Sequence, residues 1–187
     1  MKVIMLAAGV GRRLHGDENH DLPKALLRFS GKTLLARHIE ILRGHGIDEM
    51  VIIVGHRQDA LLEEIAAIVE SGIAPEGFVK TLFNPRYKES GILSLGTADS
   101  VMRCGEDVMF MDADVLYHPE LMARLVRSEH RNCFTMDRDF ELDDEPVKLY
   151  LRGGKIFDFG KQMVDGYEVI GEWPGFLRMS PEIAFKV

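Results

Sequence analysis

Two stretches of the chain carry side chains whose types and spacing can do chemistry. The first runs from Val3 to Leu14, VIMLAAGVGRRL, with Pro23-Lys24 just downstream. An apolar run of the kind that makes a buried strand passes into Ala7, Ala8, Gly9, Val10 and Gly11, and then into Arg12 and Arg13. Without bulky side chains, main-chain N–H groups can approach an anion closely. Guanidinium forks supply countercharge, so the stretch suits a polyphosphate. The second stretch is Asp112-Ala113-Asp114, at the end of the apolar run Val108 to Met111. Residues two apart on a strand face the same way. A pair of carboxylates beside a polyphosphate suits Mg²⁺, which keeps several waters and takes only one or two protein carboxylates. Taken alone, the pair suits a strand end leading into a turn equally well.

Three glycine-loop chemistries compete for the first stretch. A dinucleotide fingerprint needs glycine where Leu14 stands, and a helix next. The chain continues instead as a polar loop, His15 to Pro23. A Walker A loop is approached twice and missed twice. Gly11 to Gly16 has the spacing, but Asp17-Glu18 follow it. Gly31-Lys32-Thr33 has the second half, but Leu26 stands where the first glycine belongs. The third option is L-A-A-G-x-G-x-R-L followed by P-K-x-L, met by Leu6 to Leu14 and by Pro23-Lys24-Ala25-Leu26.

The elements that must position these groups follow from periodicity. Ala25 to Phe29 reads as extended and Ser30-Gly31 as a turn. Thr33 caps a helix to about Arg43, with Leu34, Leu35, His38, Ile41 and Leu42 inward. Met50 to Val54 is a buried strand. A helix from Gln58 to about Val69 turns Leu61, Leu62, Ile65, Ala66 and Ile68 inward. Phe78 to Phe83 is a strand, Leu93 to Met102 one helix, Val108 to Met111 a strand, and Pro119 opens a helix to about Ser128. This alternation predicts an α/β fold, a mostly parallel Rossmann-like sheet with helices on both faces. From Asn132 onward short strands dominate. They are Phe134 to Met136, a hairpin of Val147 to Leu151 with Lys155 to Phe159 around Arg152-Gly153-Gly154, Val169-Ile170, and Gly175 to Met179. The expected organisation is one domain, 1–187, with a nucleotide-binding half over 1–130 and an acceptor-side β extension over 131–187.

The 187 residues are 46% hydrophobic and 28% charged, a globular composition with room for a substantial core. A net charge of -7 argues against broad, sequence-independent nucleic-acid binding. No run is apolar for long enough to span a bilayer, and MKVIML is too short for a signal peptide. Cys104 and Cys133 lack any Cys-x-x-Cys spacing, which suggests a reducing cytoplasm. None of the seven histidines has metal-ligand spacing, and His38 and His118 read as structural.

On the glycine turn, Pro23-Lys24 and the Asp112-x-Asp114 strand end, the chain resembles the nucleotidyltransferase (NTP transferase) superfamily. Within it the resemblance is to the choline-phosphate cytidylyltransferase-like and sugar-phosphate nucleotidyltransferase branch. Asn84 to Gly91 with Ser94-Leu95, Asp144 to Lys148, Phe159-Gly160-Lys161 and Gly171 to Phe176 resemble further segments of that branch. The resemblance implies the nucleotide-diphospho-sugar transferase fold and Mg²⁺-dependent transfer of a nucleoside monophosphate, CMP from CTP first, to a small phosphorylated acceptor. It implies triphosphate contacts from the main chain of Gly9 and Gly11, with Ala7 also at the nucleotide. Arg13 would sit on the leaving pyrophosphate and Lys24 on the α-phosphate or the acceptor phosphate. Leu6, Ala8, Ser90 and Gly91 would contact the base, with Asp112 beside the nucleotide. Asp114, with Asp112 as the weaker candidate, would hold the metal. It further implies on the order of fifty more residues carrying another Asp. Ser180-Pro181-Glu182 reads as a helix start with five residues after it, so the tail is expected to be cut within an element.

Lys148 and Lys161 are the downstream candidates for the acceptor phosphate, and Glu145 and Glu172 for its head group. With Asp144, Tyr150, Tyr167 and Trp173 close by in sequence, acids plus aromatics would suit a cationic amine such as choline phosphate or an aminoalkyl phosphonate. A sugar phosphate or inositol phosphate stays open, as do a homo-oligomer and a regulatory nucleotide-binding domain that has lost catalysis.

Overall fold

The computed structural model describes residues 1–10, 22–89 and 91–187. Its strands are β1 (Lys2–Ala7), β2 (Arg28–Phe29), β3 (Lys32–Thr33), β4 (Glu49–Val54), β5 (Val79–Phe83), β6 (Val108–Asp112), β7 (Cys133–Phe134), β8 (Lys148–Arg152), β9 (Lys155–Gly160), β10 (Val169–Glu172) and β11 (Phe176–Met179). Its helices are α1 (Leu34–Gly44), α2 (Gln58–Glu70), α3 (Gly91–Gly96), α4 (Asp99–Met102), α5 (Pro119–Arg127) and α6 (Pro181–Ala184). None of these helices is long and apolar enough to cross a membrane.

The fold class is the one expected from the sequence. A six-stranded sheet runs β5-β4-β1-β6-β11-β7, parallel across its first four strands. The near-continuous apolar runs of β1, β4 and β6 are those of strands covered on both faces. Alternation divides the core. Val3, Met5, Ile52, Met109 and Met111 pack on one face with Leu35, Ile39 and Leu42 of α1 and Met122 of α5. Ile4, Val51, Ile53 and Phe110 pack on the other with Val101 and Met102 of α4 and Ala184 of α6. Strand β11 inserts antiparallel between β6 and β7. Strands β10, β8 and β9 form a separate antiparallel sheet. Its β8–β9 turn is the expected Gly153-Gly154, both at positive φ, as a two-residue hairpin turn requires.

Several local expectations are corrected. Lys24–Leu26 is a tight 3₁₀ turn, closed by Leu26 and Leu27 N–H groups on the Pro23 and Lys24 carbonyls, and only Arg28–Phe29 is extended. The helix expected over 93–102 is two helices. The Thr97 hydroxyl donates back to the Leu93 carbonyl at 3.0 Å, and Ala98, with φ -91° and ψ 14°, restarts the turn. In α2, Leu62 and Ala66 are exposed. Its contact with the core is the narrow stripe Leu61, Ile65, Ile68 and Val69, spaced as one helix face. In α1, Ile39 is fully buried and Ile41 only partly. Strand β7 stops at Phe134, after which Asp137 exchanges main-chain hydrogen bonds with Glu172.

One ion pair ties the insertion of β11 together. Arg178 of β11 donates from Nε and Nη2 to Asp107 Oδ2 at 3.2 and 2.8 Å, and from Nη1 to the Val126 carbonyl at 2.9 Å. Both side chains are 14% exposed. Burial alone would raise the Asp107 carboxyl, but hydrogen bonds from Arg131 and Arg178 outweigh it and hold the group below its ordinary value. A depressed carboxylate adds stability above its unfolded pKa, and that stability is lost as pH falls through the folded value. Asp107→Asn is therefore expected to lose about 2 kcal/mol at neutral pH. Urea unfolding should show that deficit from pH 7 to pH 5 and a shrinking one below pH 4, where the wild-type carboxyl also takes up its proton.

Candidate active site

The carboxyl ends of β1, β4 and β6 finish at one level, with Leu6 paired to both Ile53 and Asp112. In open α/β sheets this edge is where ligands bind. At the end of β4, Gly55 admits a close approach. A Cβ there would lie 2.5 Å from the Tyr87 Cβ and 2.9 Å from the Ala8 carbonyl oxygen. His56 N–H donates to that same carbonyl at 3.2 Å. The turn after β1 is thus held against β4 through Ala8. Ala7 and Ala8 are buried and Gly9 is exposed. Gly11, Arg13 and Ser90 lie outside the described residues, and Gly91 opens α3.

Asp112 ends β6, and Asp114 follows one residue on. Lys24 Nζ donates to Asp114 Oδ2 at 2.7 Å, so the structure joins two residues far apart in sequence that were expected at one site. The 3₁₀ turn makes this possible by bending the chain at Lys24. Burial, and next the charge of Asp114, push the Asp112 carboxyl up to about 7, with Lys24 acting the other way. Asp112 also has a cradle. Its N–H donates to the Gly175 carbonyl at 3.0 Å, and a Cβ on Gly175 would lie 2.6 Å from Asp112 Oδ2.

Among the described residues no group of three or more His, Cys, Asp and Glu is placed to hold a metal ion. The chemistry of the donor set fits Mg²⁺ nonetheless. Two carboxylates, one of them short of countercharge in a partly buried place, match an ion that fills its remaining positions with phosphate oxygens and water.

Asp112 and Asp114 line a cavity of about 870 Å³. Its wall also carries Asp137, Glu141, Asp143, Glu145 and Glu172, with Trp173, His118 and Lys161. Glu145 and Lys161 come together at 3.8 Å, both well exposed. Glu172 is raised by burial first, then by the carboxylates of Asp137 and Asp143. Gly171, like Gly175, is required by contact, since a Cβ there would meet the Asp137 carbonyl oxygen at 2.5 Å. Lys148 does not reach this wall. It is fully buried, and its Nζ donates to the Lys161 and Pro146 carbonyls at 2.8 and 3.3 Å, so it supports the loop that carries Lys161. Tyr150 is buried too, its hydroxyl on the Gln162 carbonyl. Trp173 is shared, lining the cavity while stacking on Phe110 and donating to the Phe176 carbonyl.

Sequence reasoning missed Gly55, which reads only as the end of a strand, and the acids Asp137, Glu141 and Asp143, which read as an ordinary polar loop. Their density between Asp137 and Glu145 was the available signal.

A model of the MobA-like NTP transferase domain matches residues 3–156. The chain belongs to the MobA-like NTP transferase domain family. It is similar to a bifunctional IPC transferase and DIPP synthase of Rubrobacter xylanophilus, 33% identical over 85% of this chain and 34% of that protein. It is also similar to the CMP-5'-(3-aminopropyl)phosphonate synthase of Streptomyces rubellomurinus, 28% identical over 74% of this chain and 21% of that protein. The chain thus spans about a third of the length of the first relative and about a fifth of the second. The inositol-1-phosphate CTP transferase of T. maritima shares the fold, with a TM-score of 0.76 at 20% identity over 98% of this chain and 71% of that one. The turn after β1, the acidic pair at the end of β6 and the cavity beyond it all lie at this edge of the sheet.

Gly175→Ala tests the cradle of Asp112. Gly175 has φ +91° and a blocked Cβ position, whereas Gly105 has φ +80° and open space. Gly105→Ala should cost about 1 kcal/mol of backbone strain alone. Gly175→Ala should cost roughly 1–3 kcal/mol more in chemical unfolding, the excess measuring the clash with the carboxylate.

Proposed function

We propose that this chain transfers a nucleoside monophosphate, CMP from CTP, to a small phosphorylated acceptor carrying a cationic amine, with release of pyrophosphate. One observation carries the reading. The Lys24–Asp114 pair and the partly buried Asp112 open onto a cavity whose wall holds seven carboxylates and one lysine among the described residues. A phosphate at the Lys24 end and an ammonium group among Asp137, Asp143 and Glu172 would satisfy both. A neutral polyol would bring no countercharge of its own to the raised Glu172 and its neighbours Asp137 and Asp143. The aminopropylphosphonate relative supports the same acceptor class.

In this reading an oxygen of the acceptor phosphate forms a bond to the α-phosphorus, and the bond from that phosphorus to the β-phosphate oxygen breaks. The attacking oxygen is already anionic, so no side chain need take a proton. What the residues supply is position and charge. The main chain at Ala7, Ala8 and Gly9 holds the nucleotide, with Leu6 and Gly91 toward the base. Arg13 neutralises the departing pyrophosphate. Lys24 leaves its carboxylate partner for the α-phosphate when nucleotide arrives. Lys161 meets the acceptor phosphate, and Glu145 and Glu172 its head group. Asp114 and Asp112 would hold Mg²⁺, which would supply positive charge to the triphosphate. Both cysteines are free thiols, in keeping with a cytoplasmic place of action.

The test is pyrophosphate release with Mg²⁺ across CTP, UTP, dTTP and GTP, against choline phosphate, an aminoalkyl phosphonate, inositol phosphate and hexose 1-phosphates. Turnover is expected with CTP and an amine-bearing acceptor. Asp114→Ala should abolish it, and Lys24→Ala should lower kcat/KM by about 10²-fold or more. Glu172→Gln should raise KM for the acceptor and leave KM for CTP unchanged. Turnover with a hexose phosphate or inositol phosphate instead overturns the acceptor class, and silence with every pair overturns the enzymatic reading.

A further inference from the structure

The segment that carries the acidic pair is gripped from behind by α1, and the grip centres on one buried histidine. His38 is 1% exposed, and its Nε2 lies 3.2 Å from the carbonyl oxygen of Ala113, the residue between Asp112 and Asp114. Its ring stacks on Tyr117, further along the same segment, at 5.3 Å and 7°. The preceding residue of α1, Arg37, donates to the Tyr117 carbonyl at 3.3 Å. One turn of α1 therefore fixes the segment at both ends. The Nδ1 atom is buried with no hydrogen-bond partner among the described residues. Burial drives the ring's pKa down to about 4, so it is neutral. A neutral imidazole has one N–H, and a carbonyl partner puts it on Nε2. The partnerless Nδ1 is the cost of that arrangement. A leucine would fill the space and remove the orphaned Nδ1 but would take the donor away from the Ala113 carbonyl, so it is the donor and not packing that calls for a histidine here.

We infer that His38 is a positioning residue for the metal-binding carboxylates, donating from Nε2 to the Ala113 carbonyl so that Asp112 and Asp114 are held at one spacing. The inference rests on the proposed function, through the assignment of those two carboxylates to a divalent cation. It adds that the affinity for the cation depends on a donor that touches neither the cation nor the substrates. Without that donor the buried Ala113 carbonyl loses its partner, and the segment can turn to find another. The two carboxylates then no longer face one point.

The experiment compares His38→Leu, which keeps the bulk and removes the donor, with His38→Gln, whose side-chain amide can donate from nearly the same place. Mn²⁺ binding is read from the spin-resonance signal of the free ion, alongside the melting temperature and the KM values for Mg²⁺ and CTP. His38→Leu is expected to weaken Mn²⁺ binding and raise the KM for Mg²⁺ about tenfold. KM for CTP should hold, and His38→Gln should recover most of the loss. If His38→Leu does not fold, His38→Asn takes its place, because its shorter amide stays polar but falls short of the carbonyl. Mn²⁺ binding by the wild type that is unchanged in the donor-less variant overturns the inference alone. Equal losses in His38→Leu and His38→Gln also overturn it, because packing rather than the donor would then be at work. A wild-type chain that binds no Mn²⁺ overturns the inference together with the assignment of the carboxylates.

Discussion

Two carboxylates one residue apart at the end of a buried strand repel each other, and much of the architecture here answers that repulsion. At a separation of a few ångströms and an effective dielectric near 20, two like charges cost about 3 kcal/mol. Water can relieve that at an exposed turn. Asp112 is partly buried, and burial first, with the charge of Asp114 next, raises its proton affinity. The remaining countercharge is brought from elsewhere in the chain. Lys24 arrives on a 3₁₀ turn, and that turn is anchored where the Leu34 N–H at the start of α1 meets the Leu27 carbonyl. The hairpin β2–β3 between them ends at Thr33, which caps α1 through the Ala36 N–H. Hairpin, cap and helix together deliver one ammonium group to one carboxylate.

Close contact accounts for two glycines near the site. A carboxylate in a confined place needs room as well as charge. Gly175 gives Asp112 that room, and Gly55 lets Tyr87 and the Ala8 carbonyl close the neighbouring edge. Gly55 follows β4 and Gly175 immediately precedes β11, and a Cβ at either would collide with a neighbour.

What the sequence made legible were the features set locally. Continuous apolar runs announced β1, β4 and β6, because a strand covered on both faces can be little else. Thr33 and Pro119 announced the starts of α1 and α5 by cap chemistry. The edge shared by Lys24 and the acidic pair followed from motif spacing. Features decided by tertiary contact were less legible. Leu62 and Ala66 carry the period of an inward face, but α2 meets the sheet along a narrower stripe than its composition offers. The Thr97 hydroxyl competes with the helix backbone, and the period 93–102 does not reveal that competition. Lys148 looked like a cation waiting for a phosphate because burial is invisible in one dimension. Only the fold shows two carbonyls enclosing its ammonium group. Asp137, Glu141 and Asp143 looked like solvated loop because nothing local says that the loop bends back over Asp112.

That return of the chain joins the two ends of the cavity mechanically. Strand β11 pairs with β6 directly, Phe176 opposite Met111, so the residue before it lands beside Asp112. The residues before that, Glu172 to Pro174, line the cavity. A short connection therefore links the groups that would choose the acceptor to the group that would hold the cation. Such a link has a physical consequence. A displacement of Glu172 or Trp173 by an occupant of the cavity passes along a few bonds to Gly175, and the Gly175 carbonyl holds the Asp112 N–H. Interiors packed at this density transmit small shifts rather than absorb them. Occupancy of the cavity would then be felt at the acidic pair through Gly175, and His38 braces the same segment through the Ala113 carbonyl. A segment held from both sides returns to one spacing, which is what a cation of fixed coordination distance requires of its ligands.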